Sequence, residues 1–323
     1  FTGAPPSGTN NIYVVHQAKS VGTIDVPAIN GSATTFSGGV TLSGTTTHSG
    51  ALNVTGGLDS RGGAVFNEGS ADEDFRVESN GNANAIFVNG GEDTVGIGNS
   101  NAHSFADNAD NLVVGTGSGH NGITISSDGS SSSSIFFANG TSGTQVQQGQ
   151  VVYEQNNSTM LLKTANVTAM SIDGNGIITT PLQSGYVTTN SSTNSNVTGD
   201  ETDYTMVFDS DIVDRNADHA HASGTFTAPV TGLYNFSCAL SLGGIASNHT
   251  RLILSVVTSN RIYYMKLLNI NNSLHNSGSL AVGGSITADM DASDTALFKL
   301  RIDGGSKVVD VDDASKASGF LIG

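Results

Sequence analysis

Hydrophobic residues occur along this chain in short runs that are separated by glycine-containing turns. From Ser37 onward a glycine falls at every sixth residue, and apolar pairs recur every twelve residues. The glycines are Gly38, Gly44, Gly50, Gly56 and Gly62, and the pairs are Val40 with Leu42, Leu52 with Val54, and Ala64 with Phe66. Six is an even number, so the alternation of side chains across a strand stays in phase and keeps one face apolar. The pattern predicts a Gly-repeat β-shaft over residues 34–68, in which identical chains complete the core that one repeat lacks.

A linker rich in Gly, Ser and Thr is the alternative interpretation of this repeat, because its composition alone would suit a flexible connection. The sustained period favours the shaft. Residues 1–33 contain no clear element apart from a short apolar run at 12–15, and we interpret them as an N-terminal connecting segment.

Short strand patterns recur between residues 74 and 180 and alternate with turn signals. The predicted strands are 75–77, 85–88, 95–97, 112–114, 123–125, 135–137, 151–153 and 160–162. Asn-Gly and Asp-Gly pairs favour tight turns, and they include Asn89-Gly90, Asn139-Gly140 and Asp173-Gly174. No helical period of useful length occurs here, so we predict β-rich fibre shaft modules over residues 69–182.

The composition changes after residue 182. Residues 183–200 are rich in Ser, Thr and Asn, which is typical of a hinge. Beyond them aromatic and long aliphatic residues become denser, and longer strands are predicted at 231–242, 251–257, 261–268, 279–288, 296–302 and 319–322. Strands at this spacing predict a single β-sandwich over residues 201–323. The predicted fold class is therefore all-β.

Composition and charge narrow the function. Only 12% of the 323 residues are charged and 6% are aromatic, which is unusual for a globular enzyme of this length. Disordered chains lack hydrophobic clusters, whereas 37% of this chain is hydrophobic. The net charge of −16 argues against binding to nucleic acid, because no basic patch could neutralise phosphates. No apolar run approaches the length of a membrane span, so membrane insertion is not expected.

Two features of residues 201–323 have a characteristic form. The first is the spacing of six residues, Phe208, Asp214, Phe226, Gly232, Tyr234 and Phe236, and the second is the run Gly-Phe-Leu-Ile at 319–322. In these features residues 201–323 resemble the globular heads of complement first-component and tumour-necrosis-factor-like proteins. The resemblance implies a jelly-roll β-sandwich that assembles as a tight trimer. His219 and Cys238 depart from the signature, because that family usually has an aromatic residue or leucine at the first position and an aromatic residue at the second.

A second set of segments, 87–98, 112–117, 135–141 and 149–153, is similar to the tail-fibre shafts of tailed bacteriophages, marine ones especially. In such fibres these modules precede a C-terminal chaperone or head. Here the self-cleaving endosialidase-type chaperone is not recognisable, and the jelly-roll head takes its place. The resemblance implies an elongated trimeric β-fibre shaft of short repeated strands, similar to a β-helix or β-spiral, followed by the head.

These features favour a structural and adhesive role, and no enzymatic activity is expected. The leading hypothesis is a virion tail fibre, located outside the cell on the phage tail, that attaches the phage to its host through the head. The expected partners are two further copies in a homotrimer, other tail proteins at the N-terminal side, and a glycan or protein of the host surface. A cellular surface adhesin or secreted trimeric lectin is the alternative, and a glycan depolymerase is the third.

His219 and His221, preceded by Asp218, form a metal-like cluster. Residues i and i+2 of a strand share a face, so both imidazoles could reach one ion, and three copies near a trimer axis could supply a full coordination shell. A polar loop or a packed histidine is the alternative. Calcium in the head is a second candidate, because aspartates crowd residues 289–294 and 310–313; solvated acidic loops are the alternative there. No other cofactor is expected.

The single cysteine, Cys238, excludes an internal disulfide framework. It lies in an apolar series at every second residue, Tyr234, Phe236, Cys238, Leu240 and Leu242, which places it on the buried face of a strand. We therefore expect an ordinary small hydrophobic residue rather than a catalytic thiol.

Binding on a rigid β scaffold usually resides in its loops. We predict that three loops of the head, at 247–250, 269–276 and 289–294, are exposed at its far end and contact the receptor. The candidate receptor-binding residues are Ser247, Asn248, His249, Asn271, Asn272, His275, Asp289 and Asp291.

Overall fold

The structure, a computed structural model, describes residues 46–47, 52–61, 64–66, 72–271 and 278–323. The connecting segment at 1–33 lies outside these residues, as does most of the Gly-repeat at 34–68. The parts of that repeat that are described, 46–47, 52–61 and 64–66, contain no strand. The chain divides into two compact units, Phe1–Val113 and Val114–Gly323.

A four-stranded sheet lies among the described residues 75–114, and its first three strands pair antiparallel. Its strands are β1 (Phe75–Ser79), β2 (Asn82–Asn89), β3 (Thr94–Ile97) and β4 (Leu112–Val114), which confirms four of the predicted strands. A 3-10 helix, Ala102–Ser104, follows β3. The side chain of Asn89 holds the turn after β2, because its Oδ1 accepts hydrogen bonds from the backbone N–H groups of Gly91 and Glu92 at 3.0 and 3.1 Å.

A five-stranded meander opens the second unit. Its strands are β5 (Ser132–Phe137), β6 (Gly149–Glu154), β7 (Thr159–Thr164), β8 (Val167–Ile172) and β9 (Ile178–Thr179), with a 3-10 helix, Gly143–Gln147, between β5 and β6. Asp173 stabilises the last turn, since its Oδ1 accepts the N–H groups of Asn175 and Ile177, both at 2.9 Å. The strand predicted at 123–125 is wrong: these residues are irregular and largely exposed.

Thirteen strands then build a sandwich of two sheets. They are β10 (Gly185–Thr189), β11 (Asn194–Thr198), β12 (Tyr204–Thr205), β13 (Ser210–Arg215), β14 (His219–Ala220), β15 (Thr225–Thr227), β16 (Gly232–Gly243), β17 (Arg251–Thr258), β18 (Ile262–Asn269), β19 (Leu280–Met290), β20 (Thr295–Asp303), β21 (Val309–Val311) and β22 (Lys316–Leu321). The first sheet has the order β11-β21-β16-β22-β10-β13, with β19 on the other side of β16. The second has the order β14-β15-β20-β17-β18, with β12 on β20.

The core lies between these two sheets, and it is built from the inward side chains of their long strands. Strand β16 buries every second residue, as period-two alternation requires. The most deeply buried residues include Phe208, Phe226, Tyr234, Phe236, Leu242, Leu252, Leu254, Leu300 and Ile302. Phe226 and Phe236 meet edge to face with ring centroids 5.6 Å apart, a favourable aromatic geometry. The all-β class and the jelly-roll sandwich are thus confirmed.

The hinge predicted at 183–200 is wrong for most of its length, because two strands of the first sheet lie there. Strand β10 is hydrogen-bonded to β22 on one side and to β13 on the other. Strand β11 pairs with β21. The sandwich therefore begins at Gly185 rather than at residue 201.

None of the helices in the described residues has the length and apolar character needed to cross a membrane.

Candidate functional site

The predicted histidine pair flanks a single carboxylate. Asp211 lies on β13, whereas His219 begins β14 and His221 follows it. The Nδ1 atom of His219 lies 2.8 Å from one oxygen of Asp211, and Nδ1 of His221 lies 3.3 Å from the other. The two imidazoles differ in environment, because the His221 side chain is 62% exposed and that of His219 is 1% exposed.

His219 belongs to the core of the sandwich. Its ring lies parallel to the ring of Tyr186, and its backbone pairs with Phe226 of the neighbouring strand. The backbone N–H of His219 donates to the carboxylate of Asp214 at 3.3 Å. The same carboxylate accepts the backbone N–H of Asp218 at 3.2 Å. Burial raises the pKa of the Asp214 carboxyl, and the hydrogen bond from His219 acts in the opposite direction.

The carboxylate of Asp211 contacts Nδ1 of both His219 and His221. Each ring therefore has only Nε2 left for a metal ion. Among the residues that the structure describes, no three His, Cys, Asp or Glu side chains are grouped so as to hold a metal ion. A metal ion shared between three chains at an axis stays a prediction.

The strand register assigns the loops of the sandwich to two ends. Three strand pairs mark one end: Gly185 with Phe320, Gly232 with Met290, and Thr258 with Ala296. The loops beside these pairs lie at the end where the chain enters the sandwich, which is here called the entry end. Leu242 pairs with Leu280, and Arg251 pairs with both Asn269 and Asp303. The loops at 244–250 and 304–308, together with the described residues 270–271 and 278–279, therefore share the opposite end, here called the far end.

The predicted receptor contacts do not form one surface. Ser247, Asn248 and Asn271 lie at the far end and are exposed, as predicted. Asp289 and Asp291 lie at the entry end, so their placement at the far end is wrong. Asn272 and His275 lie outside the described residues.

His249 is buried and anchors the far-end loops, so its prediction as a receptor contact is wrong. Its Nδ1 accepts the N–H of Ala246 at 3.0 Å, and its Nε2 lies 3.2 Å from the carbonyl oxygen of Ser306. These contacts fix the neutral tautomer that carries its proton on Nε2. The ring thus joins the loop at 244–250 to the loop at 304–308.

Two glycines make room for this imidazole. A Cβ atom on Gly305 would lie 2.1 Å from Cδ2 of His249. A Cβ on Gly199, whose φ is +127°, would lie 2.1 Å from the Ser306 carbonyl oxygen and 2.8 Å from Nε2 of His249. Both positions therefore need glycine, and close packing around the imidazole holds the loops at 244–250 and 304–308 together.

Asp303 forms the electrostatic centre beside these loops. Arg301 donates Nε to one of its carboxylate oxygens at 2.6 Å, and Arg251 donates Nε and Nη2 to the other at 2.9 and 2.8 Å. Burial raises the pKa of this carboxyl, but the hydrogen bonds from Arg301 and Arg251 outweigh burial, and the pKa is lowered from its ordinary value. The ionised form is therefore the one that the fold stabilises.

A cleft of about 520 Å³ lies at the entry end, beside Asn260, Arg261, Asp289, Asp291 and Asp294. The hydroxyl of Tyr263 donates to Asp289, and this bond is the main reason why the pKa of Asp289 is lowered. Arg261 adds an ion pair to the same carboxylate at 3.4 Å.

The acidic loops use their carboxylates to fix the backbone and its neighbours. Asp294 accepts the Ser259 hydroxyl at 2.6 Å, the Asn260 amide at 2.7 Å and the N–H of Asp291 at 2.9 Å. Asp310 accepts the N–H of Asn196 at 2.7 Å, and Asp312 accepts the Ser241 hydroxyl at 2.9 Å. These contacts favour the solvated, capping role of the loops over a calcium site.

Cys238 lies on the buried face of β16, where the alternation places it. Burial raises the pKa of its thiol, so the thiolate is disfavoured. The side chain packs as a small hydrophobic residue between the sheets.

Sequence reasoning missed Asp211 and Tyr186, which determine what His219 does. Asp211 lies in Ser210–Arg215, where the acidic residues Asp211 and Asp214 are half-buried and the apolar Ile212 and Val213 are exposed, the reverse of the usual pattern. Tyr186 lies in the segment that its composition marked as a hinge. The available signal was the alternation Tyr186–Thr188, which places both side chains on one buried face.

Comparison with known proteins gives matches for the sandwich region. Residues 189–322 match the family model of the C1q domain. The globular domain of zebrafish complement 1qA protein is 20% identical, with 44% of this chain and 98% of that one covered and a TM-score of 0.33. Murine APRIL, crystallised at pH 8.0, is 9% identical, with 43% and 99% covered and a TM-score of 0.32. No curated protein matches the chain.

Proposed function

We propose that this chain, whose residues 189–322 form a C1q/TNF-like jelly-roll domain, is a homotrimeric attachment fibre. In this proposal the sandwich is the receptor-binding head and residues 34–182 are the shaft. The fibre belongs to the tail of a phage virion, its N-terminal side joins other tail proteins, and its head contacts a glycan or protein of the host surface. C1q/TNF-like domains are in general binding modules, which supports attachment rather than catalysis.

The observation that carries the trimer is the outward face of the first sheet, here called the flat face. One row of side chains crosses five strands in register, from Val213 through Val187, Ser318 and Ser237 to Ser285. Small side chains leave this row without projections, so two further copies can approach the sheet closely.

Short polar contacts keep the flat face ordered. The hydroxyls of Ser237 and Ser285 lie 3.0 Å apart, and Ser285 donates to Oδ1 of Asn235 at 3.1 Å. Apolar side chains border these groups, and Phe320 and Leu233 are both exposed in a single copy of the chain. A mixture of small polar groups and exposed apolar groups is typical of a surface that another protein covers.

The meander β5–β9 also needs a partner to cover it. It is a single layer, and one layer cannot bury an apolar face without a partner. The side chains of Ile135, Phe136, Phe137, Ile177 and Ile178 are all exposed in one copy. Three meanders packed around an axis would cover them.

Purified virions test the fibre role directly. Antibody against the chain should label the tails of intact particles in electron micrographs, and the purified protein should compete with particles for adsorption to host cells. Labelling of a cell surface without virions would instead favour the adhesin or lectin alternative. Release of reducing sugar from host capsule would favour the depolymerase.

A further inference from the structure

The outward face of the second sheet carries a groove of about 190 Å³, here called the sheet groove. Strand β17 supplies its centre, with β18 on one side and β20 on the other. Ile253 and Val257 supply apolar surface, and Ser255 lies between them. Tyr264 and Lys299 face Ser255 from the two neighbouring strands, because both pair with it in register.

Ser255 places a hydroxyl without a protein partner at the centre of the groove. The residue is only 5% exposed, and its hydroxyl makes no hydrogen bond to any residue of the described chain. Its oxygen is not among the fully buried ones that lack a partner, so the hydroxyl opens into the groove. A ligand can therefore donate to this hydroxyl or accept from it without displacing a hydrogen bond within the chain.

Tyr264 and Lys299 offer the two other contacts. The Tyr264 side chain is 56% exposed, so its apolar ring face is open to a ligand. No described residue forms an ion pair with Lys299, whereas the guanidinium of Arg301 in the same groove is paired with Asp303 and Glu201. Lys299 is therefore the cation that is free to donate hydrogen bonds.

The charges in the groove indicate an uncharged ligand. Asp203 also lines it, so the groove carries a carboxylate beside the ammonium of Lys299 and the guanidinium of Arg301. A ligand with several hydroxyls can donate to Asp203 and accept from Lys299, and hydrogen bonds to ionised groups are the stronger ones. An anionic ligand would be repelled by Asp203, and a cationic ligand would be repelled by Lys299.

Size and backbone pairing exclude other classes of ligand. The volume corresponds to about six water molecules in the liquid, enough for one small ring but not for a folded partner. A peptide strand could not add to the sheet here, since β17 is already hydrogen-bonded on both edges.

We propose that the sheet groove binds one neutral pyranose ring of a saccharide. Its apolar C–H face lies on Tyr264, and its hydroxyls bond to Ser255, Lys299 and Asp203. The site is separate from the far-end loops, and it does not depend on whether the chain belongs to a virion.

Saturation-transfer NMR on the full chain tests this site, with the methyl glycosides of glucose, galactose, mannose and N-acetylglucosamine as neutral probes and of glucuronic acid as the charged probe. At least one neutral glycoside should receive saturation. Tyr264→Ala should abolish the transfer, Tyr264→Phe should retain it, and Ser255→Ala should weaken binding about 3-fold to 10-fold.

Asp291→Asn, in the entry-end cleft, is the matched control and should leave the transfer unchanged. Each variant should first show an unchanged melting temperature, so that lost binding is not lost folding. Absence of transfer to every neutral glycoside, transfer to glucuronide alone, or transfer that survives both Tyr264→Ala and Ser255→Ala would overturn the proposal.

Discussion

The imidazole of His219 stacks on the phenol ring of Tyr186, with ring centroids 4.4 Å apart and ring planes inclined by 4°. This contact joins β14 of the second sheet to β10 of the first, and Asp211 holds the imidazole from the first sheet as well. His219 therefore fills the position at which the resembling family usually has an aromatic residue or leucine. Its role in one chain is packing, whereas His221 remains at the surface.

Replacement of the two histidines should separate packing from metal binding. His219→Ala removes a buried ring and its hydrogen bond to Asp211, so it should lower the free energy of unfolding by about 2–4 kcal/mol. His221→Ala changes an exposed side chain and should alter it by no more than about 0.5 kcal/mol. Denaturant unfolding of both variants measures the difference. A similar loss in both, together with a melting temperature that chelator lowers, would indicate a metal site instead.

Asp303 should make the stability of the sandwich depend on pH in the acid range. Because its pKa is lowered on folding from an ordinary value of 3.8, its ionised form stabilises the fold above that value. The stabilisation is lost as the pH falls through the lower folded pKa. Asp303→Asn should therefore melt well below the unchanged protein at pH 7, and the gap should narrow below pH 3.8. Asp313→Asn is the control, because this carboxylate is exposed and has no ion pair in the described chain. It should change neither the melting temperature at pH 7 nor the dependence of that temperature on pH.

His249 should determine the order of the far-end loops. His249→Ala would remove the acceptor for Ala246 and the donor to Ser306, so we expect a loss of about 2–4 kcal/mol. Faster hydrogen exchange should appear in 244–250 and 304–308 and not in β16. Ser247→Ala, at an exposed neighbour, should leave both quantities unchanged. Equal exchange in the two variants would show that the imidazole does not hold these loops together.

The long strands of the sandwich could be predicted because their alternation extends over many residues. The predicted strand 231–242 agrees with Gly232–Gly243 to within one residue at each end. Strands β10 and β11 could not be found in the same way, because their inward positions include hydroxyl groups. Thr188 is fully buried, and its hydroxyl lies 3.1 Å from the carbonyl oxygens of both Phe208 and Ser210. A buried threonine with such partners looks in the sequence like a residue of a polar linker.

The candidate site was harder to predict, because it depends on which loops meet. Asp291 and Asn260 line one cleft although 31 positions separate them in the sequence. Ser247 and Asp289 are separated by 42 positions in the sequence, fewer than many pairs of the jelly roll that do touch. They nevertheless lie at opposite ends of the sandwich. Strand pairing, which a single sequence does not specify, determines both outcomes. His249 looked like a loop contact because nothing local indicates that Gly199 and Gly305 enclose it.

An arginine on the flat face should prevent trimer assembly. Ser237→Arg would place three guanidinium groups on surfaces that two other copies must cover, and buried charges without partners are strongly unfavourable. The unchanged chain should have three times the monomer mass in light scattering, and the variant should have the monomer mass. Ser247→Arg introduces the same side chain at the far end and should remain trimeric. A Ser237→Arg variant that remains trimeric would show that the interface lies on another face of the sandwich.

The boundary of the head can be tested with fragments, and the result also identifies the part that directs assembly. A fragment of residues 200–323 lacks β10 and β11. Without β10 the core loses Tyr186 and Thr188, and β22 and β13 lose the strand that lies between them, so we expect poor NMR dispersion and aggregation. A fragment of residues 183–323 retains both missing strands and should fold and form a trimer.

The shaft fragment 1–182 should be heterogeneous by the same light-scattering measurement, because slippage by one unit of the Gly-repeat restores almost the same contacts and leaves the register weakly specified. The denser core of the sandwich would then fold first and align the three shafts. A uniform trimer of 1–182 beside a monomeric 183–323 would reverse that order. If the fragment 200–323 were well folded and had the same melting temperature as 183–323, β10 and β11 would be dispensable. Residues 183–200 would then act as the hinge that their composition predicts.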